Sequence, residues 1–284
     1  MIDRQELDRR FPRSAQYTDQ WICEGGMGGH PLWQTEWLCE RLDLKAGMRV
    51  LDLGCGRAKS SIFLARECGV EVWATDLWIP ATENWQRICE AGLQDRVFPL
   101  HSDARALPFS AEFFDAIVAV DCYSYFGTDD LYLNYLVQFV KPGGPIGIAG
   151  AGLIREFDGE PPEHLRTFWT QDVWGLHSAN WWRRHWERTK LLEITTTDTM
   201  EDGWKLWSCW HRLAWPDNVN EIAAVEEDAG RNLSYVRVVG RRREDTKLES
   251  YAWPDTMRSF PEQYEKKPML RTHAPAPNAS RDGV

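Results

Sequence analysis

The chain has no apolar run approaching the ~20 residues that a membrane-spanning helix needs. Its opening, Met1-Ile-Asp-Arg-Gln-Glu, is charged and polar where a secretory leader would be apolar. Seven cysteines are present without a single C-x-x-C pair, and an odd number suits free thiols better than a disulfide framework. The expectation is a cytoplasmic protein with reduced cysteines and no membrane insertion, for which the Asn278-Ala-Ser280 sequon has no consequence. A basic stripe is also missing. The formal net charge is -10, and the Arg241-Arg-Arg243 run reads as a solvated strand end, so nucleic acid is excluded as the main partner. The histidines are scattered and form no cluster at ligand spacing, so no metal is expected. No internal repeat is visible.

What the chain does have is one strongly patterned stretch, Met48-Arg-Val-Leu-Asp-Leu-Gly-Cys-Gly-Arg57. Val50, Leu51 and Leu53 read as a buried strand, Gly54 and Gly56 as a tight turn, and Ile62 to Ala65 as the buried face of a helix. A strand, a glycine turn and a helix bring backbone N–H groups against a ligand. A dinucleotide fingerprint would need a third glycine at position 59, which is Lys59. Asp52, two residues before the first glycine, would repel a pyrophosphate and attract an ammonium or a hydroxyl. From Arg49 the rhythm is β-α-β-α, with strands expected near 49–53, 70–75, 96–100, 114–120 and 145–150. Helices are expected near 58–68, 80–92 and 129–140, which gives a mostly parallel sheet with helices on both faces.

Asp52-x-Gly54-x-Gly56 resembles motif I of the class I S-adenosylmethionine-dependent methyltransferases, with Ala58 in place of that motif's last glycine. His101-Ser-Asp103-Ala104 through Leu-Pro-Phe109 resembles the segment of that family that follows its third strand. Asp115 to Tyr125 resembles the segment that faces both cofactor and acceptor, and Val140-Lys-Pro-Gly143-Gly144 the turn before the fifth strand. The resemblance covers roughly residues 45–150. It implies a doubly wound, mostly parallel seven-stranded sheet (Rossmann-like α/β), with an antiparallel last strand at 232–240 between strands five and six, plus a helical lid. S-adenosylmethionine is the implied cofactor and S-adenosylhomocysteine the product. Asp52, Gly54 and Gly56 would surround the amino-acid part. Asp76, 20 residues beyond Gly56, stands at the offset at which an acid meets ribose hydroxyls. Leu77, Asp103 and Ala104 would meet the adenine, and Asp121 would face cofactor and acceptor. Within the family the chain is loosely similar to the cyclopropane-synthase-like and phosphoethanolamine methyltransferases.

The flanks are less regular. Residues 1–44 hold a short helix near 2–10, a glycine-rich segment before His30 and a helix from Pro31, read as a lid. Residues 45–150 are the core. Residues 151–190 form an acceptor lid rich in Trp, with a helix through Trp181 to Trp186 capped by Ser178 or Asn180. Residues 191–240 complete the sheet around a long helix near 202–229. Residues 241–284 form a polar tail, its last ~15 residues disordered. Sixteen tryptophans stand out. Pairs such as Trp33/Trp37 and Trp182/Trp186 have the spacing of a buried helix face, so most read as core, with one or two rings left to line a pocket.

Methyl transfer asks mainly for placement, and for a base where the acceptor must lose a proton. Tyr17, His30, Tyr123 and His177 are the candidate bases, Tyr17 also because an N-terminal tyrosine closes over the methyl group in related N-methyltransferases. Tyr125, Trp174 and Trp181 are candidates for acceptor contact. A small-molecule acceptor, most readily an amine nitrogen, fits an aromatic pocket that attracts cations. The alternatives are O- or C-methylation of an aromatic or lipid-like acceptor, a non-catalytic cofactor-binding module, and a nicotinamide-dependent oxidoreductase. An acidic surface is compatible with a monomer or a homodimer.

Overall fold

The structure, a computed structural model, describes residues 3–246. The Pro-rich tail, with its expected disorder and the Asn278 sequon, lies outside the described residues.

Three short helices open the chain: α1 (Arg4–Arg10), α2 (Asp19–Cys23) and α3 (Pro31–Cys39). Side chains that accept from the first-turn N–H groups start each one. Asp3 caps α1 and Thr18 caps α2, while His30 caps α3 with Pro31 at the first helical position. The alternating core follows as β1 (Arg49–Leu53), α4 (Lys59–Cys68), β2 (Glu71–Asp76), α5 (Ala81–Glu90), β3 (Val97–His101) and β4 (Ala116–Val120). Then come α6 (Tyr132–Leu136), β5 (Pro145–Leu153), α7 (Ala179–Glu187), β6 (Leu192–Thr199), α8 (Gly203–Ala214), α9 (Val219–Asp228) and β7 (Leu233–Arg242).

All seven strands join one sheet in the order β3-β2-β1-β4-β5-β7-β6. Strands β1 to β5 run parallel, and β7 lies antiparallel between β5 and β6. The expected topology is therefore observed, including the place of the last strand. The strand order reverses between β1 and β4, so the crevice for a ligand opens at their carboxyl ends. Every residue of β4 is buried, as a central strand covered on both faces requires.

Four expectations change. The helix expected near 202–229 is two helices, because Pro216 brings no N–H and the chain turns between Ala214 and Val219. The helix near 129–140 shortens to α6, followed by a tight turn at Val137–Phe139. Strand β5 runs on to Leu153, so the segment read as lid starts inside the sheet. Arg242 is no solvated residue. Its guanidinium is buried and donates to the Val140 carbonyl and to Glu112, closing the base of β7.

Helix α7 shows what holds the second half. Ser178 accepts from Trp181 N at 3.2 Å and caps it, and Trp182 and Trp186 bury their rings as α7 packs on β6 and β7 beside Tyr123. Ser178→Ala is expected to cost about 1 kcal/mol, read as a lower denaturant midpoint at unchanged slope.

Candidate functional site

The turn after β1 is left-handed three times, with φ of +69° at Gly54, +52° at Gly56 and +59° at Ala58. A Cβ on Gly54 would stand 2.6 Å from Cys122 Sγ, so only glycine lets the end of β4 pack on this turn. Ala58 occupies the conformation for which the family motif carries a glycine, at a cost of roughly 1 kcal/mol.

Two acids hold the turn. Asp76 Oδ2 accepts from Gly56 N at 2.8 Å, and its Oδ1 accepts from Trp78 N at 2.7 Å and Ile79 N at 2.9 Å. A carboxylate has about four acceptor sites, so one site on Oδ2 remains for an incoming donor where the sequence suggested room for two hydroxyls. Asp52 is wholly buried. Its Oδ2 accepts from Ser60 Oγ and Ser61 Oγ, each at 2.6 Å, while Oδ1 has no partner. Burial pushes the Asp52 carboxyl up to about 6 against the pull of the two serines, with Asp76 adding to the rise.

Further along the crevice Leu77 is half-buried, and its carbonyl meets His101 Nε2 at 2.8 Å. Asp103 is gripped by the Arg105 guanidinium at 2.7 Å and by Arg105 N at 2.8 Å. The Ala104 carbonyl accepts from Tyr132 OH. At the end of β4, Asp121 takes a left-handed φ of +57° and bridges two segments. Its Oδ1 accepts from Ala151 N on β5 at 2.9 Å, and its Oδ2 accepts from Gly29 N in the glycine-rich segment.

That segment lies directly on the crevice. A Cβ on Gly56 would stand 3.1 Å from Met27 Sδ, and one on Gly28 would stand 2.2 Å from Asp121 Oδ2. A Cβ on Gly25 would strike the Lys59 side chain, whose ammonium sits 3.6 Å from the centroid of the Trp21 ring. The glycines are therefore sites of close approach, and Lys59 helps to hold the segment down.

The four candidate bases each meet a different partner. Tyr17 OH donates to Glu67 at 2.8 Å, and its ring stacks on Trp21. His30 is buried and stacked on Trp33, and its Nδ1 is engaged as the cap of α3; burial pushes it well below the ordinary histidine value. Tyr123 points into the core between Trp182 and Trp186, with its hydroxyl buried and unpartnered. His177 Nδ1 pairs with Glu156 at 2.8 Å. Burial works to raise the Glu156 carboxyl, but the bonds from His177 and Ser178 outweigh it and hold it below the ordinary range. Of the acceptor-contact candidates, Trp181 is stacked between His177 and His185, and Trp174 stands 65% exposed. Tyr125 is half-buried. Burial and the charges of Asp121, Asp172 and Glu221 push its hydroxyl far up, and its ring tilts toward Trp78 at 5.7 Å.

Several residues near Asp121 carried no local signal. Gln34 and Tyr235 are buried, and neither atom of the Gln34 amide nor the Tyr235 hydroxyl has a partner. Both flank Gly29, where an added Cβ would stand 2.0 Å from Gln34 Nε2 and 3.1 Å from Tyr235 OH. His211 Nδ1, also unpartnered, lies 3.4 Å from Glu221, and burial lowers that ring to about 4, so it is neutral. Burial raises the Glu221 carboxyl against the hydrogen bonds from Trp207 and Asn218, with Asp121 adding to the rise. Trp207, Trp210 and Trp215 wall this region, and Trp210 Nε1 donates to the Gly28 carbonyl. Buried polar groups without partners are costly unless a ligand completes them. Among the described residues no cluster of three or more metal-ligating side chains occurs, and no helix is long and apolar enough to cross a membrane.

Comparison with known proteins agrees with this geometry. Residues 50–144 match the family model described as a methyltransferase domain. The methyltransferase GfsG of Streptomyces halstedii is 36% identical over 116 residues, 40% of this chain and 42% of that protein. The chain thus matches less than half the length of such curated relatives, which carry N-, O- and C-methyltransferase names. Among solved structures, phosphoethanolamine N-methyltransferase 2 of Haemonchus contortus, in complex with S-adenosyl-L-methionine, superposes with a TM-score of 0.67 at 20% identity. That superposition covers 86% of this chain and 60% of the other. Geranyl diphosphate C-methyltransferase of Streptomyces coelicolor, in complex with S-adenosyl-L-homocysteine, gives a TM-score of 0.61 at 20% identity over 75% and 78% of the two chains.

Proposed function

Residues 50–144 being a class I methyltransferase domain, we propose that the chain methylates a small-molecule acceptor from S-adenosylmethionine, with an amine nitrogen as the methylated atom. The residues at the turn fit that cofactor. Asp52 Oδ1, buried and unpartnered, suits its ammonium; the open site on Asp76 Oδ2 suits one ribose hydroxyl; Asp103 and Ala104, which follow β3, are the residues assigned to the adenine. The bound cofactor supplies an electrophilic methyl group that an aligned lone pair displaces from sulfur.

The chain's own residues do the rest. Met27 and Gly28 cover the turn, and Asp121 ties that cover to β5, which keeps water from the crevice. The observation that carries the amine reading is acid set among aromatic rings: Asp121 at the end of β4, and Glu221, which accepts from Trp207 Nε1 at 2.8 Å. Acids and aromatic faces together favour a cationic group. Tyr125 OH, far above its ordinary value, donates rather than accepts a proton at neutral pH and positions the acceptor. His211, lowered to about 4, is too weak a base to take a proton from an ammonium, and the raised Glu221 carboxylate 3.4 Å from it is the candidate for that step. His177 with Glu156 remains a second base for an acceptor that enters under the lid. O- or C-methylation of an uncharged acceptor is the second reading, favoured by the neutral Gln34–Tyr235 pair.

The test is calorimetric titration with S-adenosylhomocysteine, followed by a methyl-transfer screen of small amines, phenols and prenyl compounds. Micromolar binding and turnover of an amine, reduced about tenfold in Tyr125→Phe by loss of one buried hydrogen bond, is the expected result. Binding with turnover of phenols or prenyl compounds alone would replace the amine reading. No binding at all would remove the cofactor assignment.

A further inference from the structure

A second built feature lies at the opposite end of α3 from the glycine-rich segment. Cys39 is the last residue of α3 and Cys68 the last residue of α4, and the packing of α3 on α4 brings both thiols to one groove. Both are half-buried and free. They line a groove of about 490 Å³ open to solvent, together with Arg13, Arg41, Asp43 and Glu67. Arg13 Nη1 approaches Cys68 Sγ at 3.7 Å, while its backbone and guanidinium are held by Glu36 at 3.0 Å and 3.5 Å.

We propose that Cys39 and Cys68 are a thiol pair that a low-molecular-weight disulfide such as glutathione disulfide oxidises reversibly, joining the end of α3 to the end of α4. The Cys68 thiolate attacks one sulfur of the small disulfide, and the other sulfur leaves with the electron pair as a thiolate. The Cys39 thiol then loses its proton to solvent and attacks the Cys68 sulfur of the mixed disulfide, expelling the second small thiolate. Two protein thiols are oxidised, and one disulfide is reduced to two thiols.

The roles within the pair follow from their surroundings. The neighbouring Cys39 thiol lowers Cys68 first, Arg13 lowers it further, and burial with Glu67 opposes them; the net direction is down. Cys39 is driven well up by the Cys68 thiol, by burial and by Glu36, against Arg13. Cys68, the sulfur that Arg13 Nη1 approaches at 3.7 Å, is therefore the attacking one and Cys39 the resolving one. The remaining cysteines lack this arrangement. Cys55 and Cys122 are driven up by burial at the turn, Cys23 and Cys209 are raised by burial, and Cys89 is simply exposed. Because α3 begins at the glycine-rich segment, a cross-link at its far end fixes the helix that carries that segment against the core.

The experiment incubates the native protein with glutathione disulfide and reads intact mass, free thiols and the mapped peptides. Wild type is expected to lose two thiols without retaining glutathione, with the peptides of Cys39 and Cys68 cross-linked and a reducing agent restoring both. Cys39→Ser should retain glutathione on Cys68, and Cys89→Ser should still form the cross-link. Each unit by which a thiol is lowered toward ambient pH speeds alkylation about threefold, because a tenfold gain in thiolate is offset by weaker nucleophilicity. Cys68 should thus react with iodoacetamide several-fold faster than Cys89 at pH 7, and Arg13→Met should reduce that advantage. Glutathione retained on Cys68 in wild type, or modification confined to Cys89, would overturn the proposal. None of these readouts depends on methyl transfer.

Discussion

Replacement of Asp76 by alanine is expected to weaken S-adenosylhomocysteine binding by about 10- to 100-fold, the loss of roughly 1.5–3 kcal/mol that removal of a charged hydrogen-bond acceptor brings. Two effects add. The open site on Oδ2 disappears, and so does the clamp that holds Gly56 N, Trp78 N and Ile79 N around one carboxylate. Asp76→Asn separates charge from shape. Its amide oxygen can still accept from Trp78 and Ile79, but its NH2 group would face the Gly56 N–H, donor against donor. The asparagine variant should therefore bind nearly as weakly as the alanine variant while unfolding closer to wild type. Calorimetry on both variants decides it, and wild-type affinity in Asp76→Asn would remove Asp76 from the cofactor site.

The turn after β1 was legible because its signals are local. Asp52, Gly54 and Gly56 share one turn, and Asp76 follows its own strand by no residues at all. What a sequence does not carry is how many sites on a carboxylate are already taken; hence the expected pair of ribose hydroxyls shrinks to one at Oδ2. The acceptor side was mostly not legible. Gln34, Tyr235 and His211 come from α3, β7 and α8, and only the antiparallel insertion of β7 beside β5 brings Tyr235 to Gly29. Periodicity marked Trp33, Trp37, Trp182 and Trp186 as packed faces, and those rings are buried. It could not tell that Trp181 would be stacked by two histidines or that Trp174 would stand in solvent. His30 looked like a base beside a glycine-rich lid because a histidine that caps a helix has no distinctive spacing. Arg242 looked solvated within a basic run, yet a strand's alternation sends the middle residue of three to the other face, where Glu112 and the Val140 carbonyl receive it.

Asp52 is where stability and binding pull in opposite directions. Its carboxyl is raised by burial from about 3.9 in an unfolded chain to about 6 in the folded one. An acid whose folded value is raised penalises the folded state above that value, and the penalty fades as pH falls through 6 toward 4, where both states hold the proton. A shift of two units corresponds to roughly 3 kcal/mol. In the absence of cofactor, Asp52→Asn should therefore be more stable than wild type by about 2–3 kcal/mol at pH 7.5, since Ser60 and Ser61 can turn their hydroxyls to suit an amide. The difference should shrink steadily between pH 6 and pH 4. Binding should move the other way. A cofactor ammonium beside Oδ1 neutralises the buried charge, so wild type gains from S-adenosylhomocysteine what the variant cannot, and the thermal shift on saturation should be clearly larger for wild type. Denaturant unfolding at the two pH values, with and without the ligand, reads both effects. A variant less stable than wild type at pH 7.5 without ligand would show that Asp52 stabilises the turn by itself, and the ammonium would then need another partner.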